Sequence, residues 1–221
     1  MTTYKIGEKE YQMVDKAEEL LVSQYFQIEE LLKDITTLTN SQIILKMVEI
    51  LSDVKHGDID DIDVDSASKL GEIIGSIDFK NITPSNKDYI VINGIDYVFK
   101  NNMDKLSMGE QISIELLQKR SLNIVDSSLY SLAILLRPGT STVDKETKKI
   151  VWTQEKFNTD NLEHRVELFR KHLKAIDALG VLRFFLTGSK GLEMLTQHST
   201  QEKHQPKNKG KAPLKSKSQK I

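Results

Sequence analysis

The sequence predicts a mainly α-helical protein with short β-hairpins, an α+β fold. Apolar residues recur at helical spacing in seven stretches. Alternating strand-forming residues flank Asn93-Gly94, the residue pair that a two-residue hairpin turn requires. Of the 221 residues 38% are apolar and 29% charged, and almost nothing from Gln197 onward is suited to burial. The chain therefore divides into a folding body, long enough for a proper core, and a polar tail.

Lys5-Ile6 and Glu10-Tyr11-Gln12-Met13 are expected to pair around Gly7-Glu8. A helix over residues 20–35 carries Leu20, Leu21, Tyr25, Ile28, Leu31, Leu32 and Ile35. Asn40 or Ser41 caps the next helix, whose inward stripe is Ile43, Ile44, Met47, Val48, Ile50 and Leu51. An acidic link, HGDIDDIDVDS, precedes a third helix that starts near Asp65-Ser66 and runs through Leu70, Ile73 and Ile74. Pro84-Ser85-Asn86 reads as a turn between two halves.

The second half opens with Tyr89 to Ile92 and Ile95 to Phe99 around Asn93-Gly94, a type I′ hairpin because both turn residues accept positive φ. Ser107 and Glu110 have capping-box spacing for a helix through Ile112, Ile114, Leu116 and Leu117. Asp126 or Ser127 starts a helix carrying Leu129, Leu132, Ala133, Leu135 and Leu136, and Arg137-Pro138-Gly139 stops it. STVDKETKKIVWTQEKF supplies a second hairpin. Asp160 or Asn161 begins a helix through Val166, Phe169 and Leu173. The last helix, residues 175–186, is apolar around most of its circumference, so it lies in the core or under a partner. Phe184 and Phe185 on it, with Leu192, Met194 and Leu195 just beyond Gly188-Ser189-Lys190-Gly191, are the partner-binding candidates.

This order gives three parts: residues 1–83 and 84–196, each a hairpin followed by helices, and a disordered lysine-rich tail, 197–221. Sliding the first part by 86 residues matches Ile6 with Ile92, Tyr11 with Tyr97, Leu20 with Leu106, Ile28 with Ile114, Glu29 with Glu115 and Leu31 with Leu117. A duplicated hairpin-helix-helix unit and two unrelated pieces of common supersecondary structure both fit these identities.

The net charge of −1 hides an asymmetry: seven lysines against Glu202 make the tail +6, which leaves −7 for the rest. A body of that sign offers no broad basic face to nucleic acid, and the tail attracts phosphate only through screened, non-specific contacts. No cysteine is present, so disulfides, thiolate nucleophiles and cysteine-ligated zinc are excluded. The first residues lack an apolar signal core, and no apolar run approaches the roughly 18 residues that span a bilayer. A soluble protein without cofactor is expected.

Asp61, Asp63, Asp65 and Glu72 sit at positions 1, 3, 5 and 12 of a calcium-loop spacing. Ser66 replaces the turn glycine and Lys69 adds a positive charge at position 9, so solvation of a loop and of a helix N-terminus is the preferred reading. His164 and His172 are eight apart on one helix, too far to share a metal as an i, i+4 pair does; His56, His198 and His204 form no motif either. No GxSxG elbow marks a nucleophile, and Gly188 to Gly191 lacks the order of a phosphate loop. Met103 and Met108 are read as core or edge residues. No catalytic residue is assigned.

The succession Leu106-Ser107-Met108-Gly109-Glu110, SLYSLAILLRPG, a Trp-containing hairpin and HRVELFRKHLKAIDALGVLRFFL resembles tailed-bacteriophage tail assembly chaperones. The shared features are the capped start, the Leu135-Leu136-Arg137-Pro138 helix end, the Ala178-Leu179-Gly180 step and the Phe184-Phe185 pair. The resemblance implies a non-enzymatic assembly factor in the host cytoplasm that binds a tail structural protein, the tape measure or the tail tube. Its rivals are a virion component, head-tail or internal, and a nucleic-acid-binding accessory protein that uses the lysine tail.

Overall fold

Each half of the chain opens with an antiparallel hairpin, and the turn residues explain why. In the first, β1 (Thr2–Ile6) pairs with β2 (Lys9–Met13), Ile6 facing Lys9 across Gly7-Glu8 with Gly7 at φ +58°. In the second, β3 (Tyr89–Ile92) pairs with β4 (Ile95–Val98) across Asn93 and Gly94 at φ 50° and 77°. Two successive positive φ values define the expected type I′ turn. The computed structural model describes residues 1–79, 81–99, 106–120 and 122–187, with the side chains of His56, Gln118 and residues 183–187 outside the description.

Two helices follow each hairpin: α1 (Val22–Lys33) and α2 (Asn40–Leu51), then α5 (Met108–Lys119) and α6 (Ile124–Leu135). Between the two sets lie the short α3 (His56–Ile59) and α4 (Val64–Ser76). Helix caps fall one to three residues before several expected positions, because a short polar side chain with the right acceptor geometry decides the boundary. Thr39 caps α2, its Oγ1 accepting from Gln42 N while Gln42 Oε1 accepts from Thr39 N. Asp63 caps α4 by accepting from Ser66 N at 2.9 Å, and Asn123 caps α6 by accepting from Asp126 N at 2.8 Å.

The order hairpin, helix, helix occurs twice, with four helices of 12 residues each. α1 and α5 are displaced by 86 residues at both ends, α2 and α6 by 84 at both ends. In both units the chain then returns beside the second hairpin strand in the same register. Met13 bridges Ser52 in the first unit, and that pair, moved by the same two offsets, falls one step along the ladder from Val98 and Arg137 in the second.

Arg137-Pro138-Gly139 does more than the expected stop. α6 ends at Leu135, and the three residues open β5 (Arg137–Val143), which pairs with β4 at Tyr97–Pro138 and Val98–Arg137. Proline is tolerated near a strand start, and its carbonyl still accepts from Glu155 N. β5 then pairs with β6 (Ile150–Gln154), so the two expected hairpins join into one sheet of order β3-β4-β5-β6. α7 (Leu162–His172) and α8 (Ala175–Thr187) complete the described chain. None of the described helices is long and apolar enough to cross a membrane.

Buried side chains form two clusters. Ile90, Ile92, Tyr97, Leu129, Leu132, Val166 and Phe169 centre one; Tyr11, Met13, Val48, Leu51, Leu70 and Ile74 centre the other. α1 supplies both, Val22 and Phe26 to the first and Ile28 to the second. Leu20 to Val22 also lies alongside Leu173 to Ala175, with Val22 N donating to Leu173 O and Ala175 N to Leu20 O, each at 2.8 Å. The expected division at residues 83/84 is therefore not a domain boundary, and Met1–Phe185 is one compact unit. Ser85, in the expected turn, donates its backbone N–H to Ile176 O and packs on α8. The expected tail, 197–221, lies outside the described residues.

Two predictions follow from this packing. A methyl group at Gly180 would stand 2.1 Å from Ser85 O, whereas one at Gly75 meets nothing within 4 Å. Gly180→Ala should destabilise by about 1–3 kcal/mol through forced displacement of backbone, and Gly75→Ala should stabilise by roughly 0.5–1 kcal/mol, both read from urea unfolding. Asp58 accepts from Lys9 Nζ at 2.8 Å and from Tyr11 Oη at 2.9 Å, and these hydrogen bonds hold its carboxyl below the ordinary range. A lowered folded-state value means the stabilisation is present above the unfolded carboxylate range and is lost as pH falls through the folded one. Asp58→Asn should therefore lower the thermal midpoint at neutral pH, and the gap to wild type should close in acid.

Candidate functional site

α5 starts where Ser107 and Glu110 cap one another. Ser107 Oγ accepts from Glu110 N at 3.3 Å, and Glu110 Oε2 accepts from Ser107 N. Inside the helix, Ile114 and Leu117 are buried and fix the rotation of the cylinder on the core. What remains outside is not all polar. Met108, Ile112 and Leu116 are exposed by 71%, 48% and 52%, and they stand at i, i+4 and i+8, one above the next along a single face. Gln111, Glu115, Lys119 and Arg120 flank them in solvent.

The first unit shows how such a face is used. Val22 and Phe26 of α1 occupy the positions equivalent to Met108 and Ile112, and both are buried in the cluster formed with α6, α7 and α8. The same helix in the same unit thus carries a docked face once and an open face once.

A buried ion pair holds α5 in place. Glu110 and Arg137 are each about 1% exposed, and Arg137 Nη2 donates to Glu110 Oε1 at 2.5 Å. Arg137 Nη2 also donates to Gln154 Oε1, while Gln154 Nε2 donates to Val98 O and Leu135 O. One polar knot thereby joins the start of α5, the end of β4, the end of α6 and β6. The ring of Phe157 lies 5.4 Å from the Arg137 guanidinium, and a methyl group at Gly109 would touch that ring at 3.1 Å. Arg137 Nε and Nη1 are buried without a hydrogen-bond partner in the structure described. Burial pulls Arg137 below the ordinary guanidinium value against the pull of Glu110. Arg165, also buried, is lowered by burial and then by Arg137, and it donates to Ala133 O at 3.0 Å and Asn158 O at 3.2 Å.

The partner-binding candidates singled out by sequence fall where side chains are not described. Phe184 and Phe185 lie on α8 with side chains outside the description, and Leu192, Met194 and Leu195 lie outside the described residues. The calcium-loop spacing is not a loop. Asp63 caps α4, its Oδ1 and Oδ2 taken by Ser66 N and Oγ, and those hydrogen bonds lower its carboxyl. Asp65 and Glu72 are both inside α4, seven residues and about 10 Å of helix rise apart, so they cannot close round one ion with Asp61. Among the described residues no group of three acids or histidines is placed to hold a metal. His164 and His172 are exposed on α7; His198, His204, Met103 and residues 188–191 lie outside the description.

Sequence reasoning grouped Ile112 and Leu116 with Ile114 and Leu117 as one apolar set and read Met108 as core or edge. Two i, i+4 series run along α5, Met108-Ile112-Leu116 and Glu110-Ile114, and the burial of Glu110 against Arg137 turns the second one inward.

Removing one member of the buried pair leaves a charge without its partner, which costs about 3–5 kcal/mol. Glu110→Ala should show that loss in chemical denaturation, and the double change Glu110→Leu with Arg137→Met should recover at least half of it. Comparison of the chain with protein-family models, with curated proteins and with solved structures gives no match.

Proposed function

We propose that this protein is a non-enzymatic assembly chaperone of a phage tail, acting in the host cytoplasm, and that α5 is its binding helix. The observation that carries the reading is the open stripe Met108-Ile112-Leu116 on a helix whose equivalent in the first unit is covered by other helices. A ridge of side chains at i, i+4 and i+8 fits between the ridges of a second helix. The fitting partner is therefore an amphipathic helix, the form in which a tape-measure protein exposes apolar surface before assembly. Covering what is left exposed on three such side chains contributes about 1 kcal/mol each, a share of a reversible affinity that further contacts along the partner helix must complete.

The resemblance to tail assembly chaperones supplies the phage context, and the open helical stripe supplies the means. The buried pair of Glu110 on α5 and Arg137 on β5 serves to fix the position of the helix. A chaperone of this kind is used during assembly and then released, which separates it from a virion component.

The test is capture from infected cells with the intact protein as bait, followed by identification of what is bound. A long helical tail protein is expected, and Met108→Glu with Ile112→Glu should reduce its recovery by roughly ten-fold or more while leaving the thermal midpoint unchanged, because both positions are exposed. Capture that is indifferent to these changes, or fixed copies of the protein in purified virions, would overturn the proposal.

A further inference from the structure

β6 is an edge strand of the four-stranded sheet, and within Ile150–Gln154 nothing blunts it. It contains no proline and no charge. Ile150 and Val151 are exposed by 64% and 45%, and Val143 on the neighbouring strand by 63%. Natural edges of this composition are normally interrupted or covered, because a row of unpaired N–H and C=O groups is a template for another strand.

The backbone identifies which groups are open. Glu155 N donates to Pro138 O, and Asp144 N to Lys149 O. Along the regular register between them, Val151, Thr153 and Glu155 therefore direct their amides and carbonyls at β5. Ile150, Trp152 and Gln154 direct theirs away, and among the described residues no strand lies on that side. The Trp152 ring stacks on that of Tyr89 of β3, ring centres 4.5 Å apart.

The geometry points to a homodimer in which two β6 strands pair antiparallel about a twofold axis through Trp152. The outward-facing residues must meet one another, so the allowed registers differ by steps of two. Centring on Trp152 sets Trp152 opposite itself, Ile150 opposite Gln154, Val151 opposite Thr153 and Lys149 opposite Glu155. One step in one direction sets Lys149 against Thr153, and one step in the other sets it against Phe157. Only the central register pairs the exposed Lys149 with the exposed Glu155, and it does so twice. A two-stranded contact between equivalent edges is self-complementary and closes at two copies. The result is a continuous sheet of eight strands with the apolar side chains of Val143, Ile150 and Val151 near the junction. This inference does not depend on the function proposed above.

The intact protein answers the question by analytical ultracentrifugation over a concentration series. A monomer–dimer equilibrium is expected. Lys149→Glu alone sets glutamates opposite glutamates, and Glu155→Lys alone sets lysines opposite lysines, so each should weaken dimerisation by roughly ten-fold. Mixing the two variants in equal amounts restores both opposite-charge pairs and should restore the dimer as a heterodimer. Amide hydrogen exchange of the unmodified protein gives a second reading that needs no variant: the N–H groups of Ile150, Trp152 and Gln154 should gain protection with concentration, while those of Val151 and Thr153 are protected throughout. A protein that stays monomeric, one that grows beyond two copies, or a dimer that ignores charge reversal and leaves these three amides unprotected refutes the inference.

Discussion

Helix α1 buries two faces, and most of the architecture follows from that constraint. Ile28 points into the cluster formed with β2, α2 and α4, while Val22 and Phe26 point into the one formed with α6, α7 and the second hairpin. An amphipathic surface helix has one apolar stripe and can serve one core. A helix with two joins two cores, and neither can be removed without exposing the other. The N-terminus of α1 records the same dependence. Leu21 at its cap has no acceptor to offer, so Gln24 Oε1 takes the Leu21 N–H, and the Val22 N–H finds Leu173 O across the molecule. Tertiary structure supplies here the partner that a serine supplies in the second unit.

The second unit shows the same helix without the second core. Met108 and Ile112 stand where Val22 and Phe26 stand, and no described helix covers them. The inner attachment is of a different kind. Gln24, at the third position of α1, donates to Ile50 O at the end of its companion helix. Glu110, at the same position of α5, reaches past the end of α6 to Arg137. A neutral hydrogen bond suffices where both faces are packed; an ion pair out of contact with water holds the helix that is packed on one face. Such a pair adds little net stability over apolar packing, but it rejects arrangements in which either charge is left alone. That property suits a helix whose outer face is kept open.

The hairpins were legible before folding because their turns are written locally. Asn93-Gly94 is one of few residue pairs that reach two positive φ values without strain, and the observed angles agree. The longer helices were legible from apolar spacing for the same reason, whereas the short α3 forms inside the expected acidic link. Cap positions were less so: Thr39 with Gln42, Asp63 with Ser66 and Asn123 with Asp126 each competed with a polar neighbour that had equal standing in the sequence. The candidate site was legible only in part. Its residues were recognised as apolar, but their division into an inner and an outer stripe depends on where Glu110 finds Arg137, twenty-seven residues away.

By itself the sequence determined the α+β class, the two hairpin turns and the course of the longer helices, since each is a property of residues within one or two turns of one another. Only the tertiary structure decided that Arg137 begins a strand as well as ending a helix, that two hairpins form one sheet, and that residues 83/84 divide nothing. Those outcomes depend on which surfaces meet, and a stripe of apolar side chains announces that it will be covered without stating by what. α1 and α5 carry that lesson together: two equivalent stripes, one buried by the chain and one left facing outward.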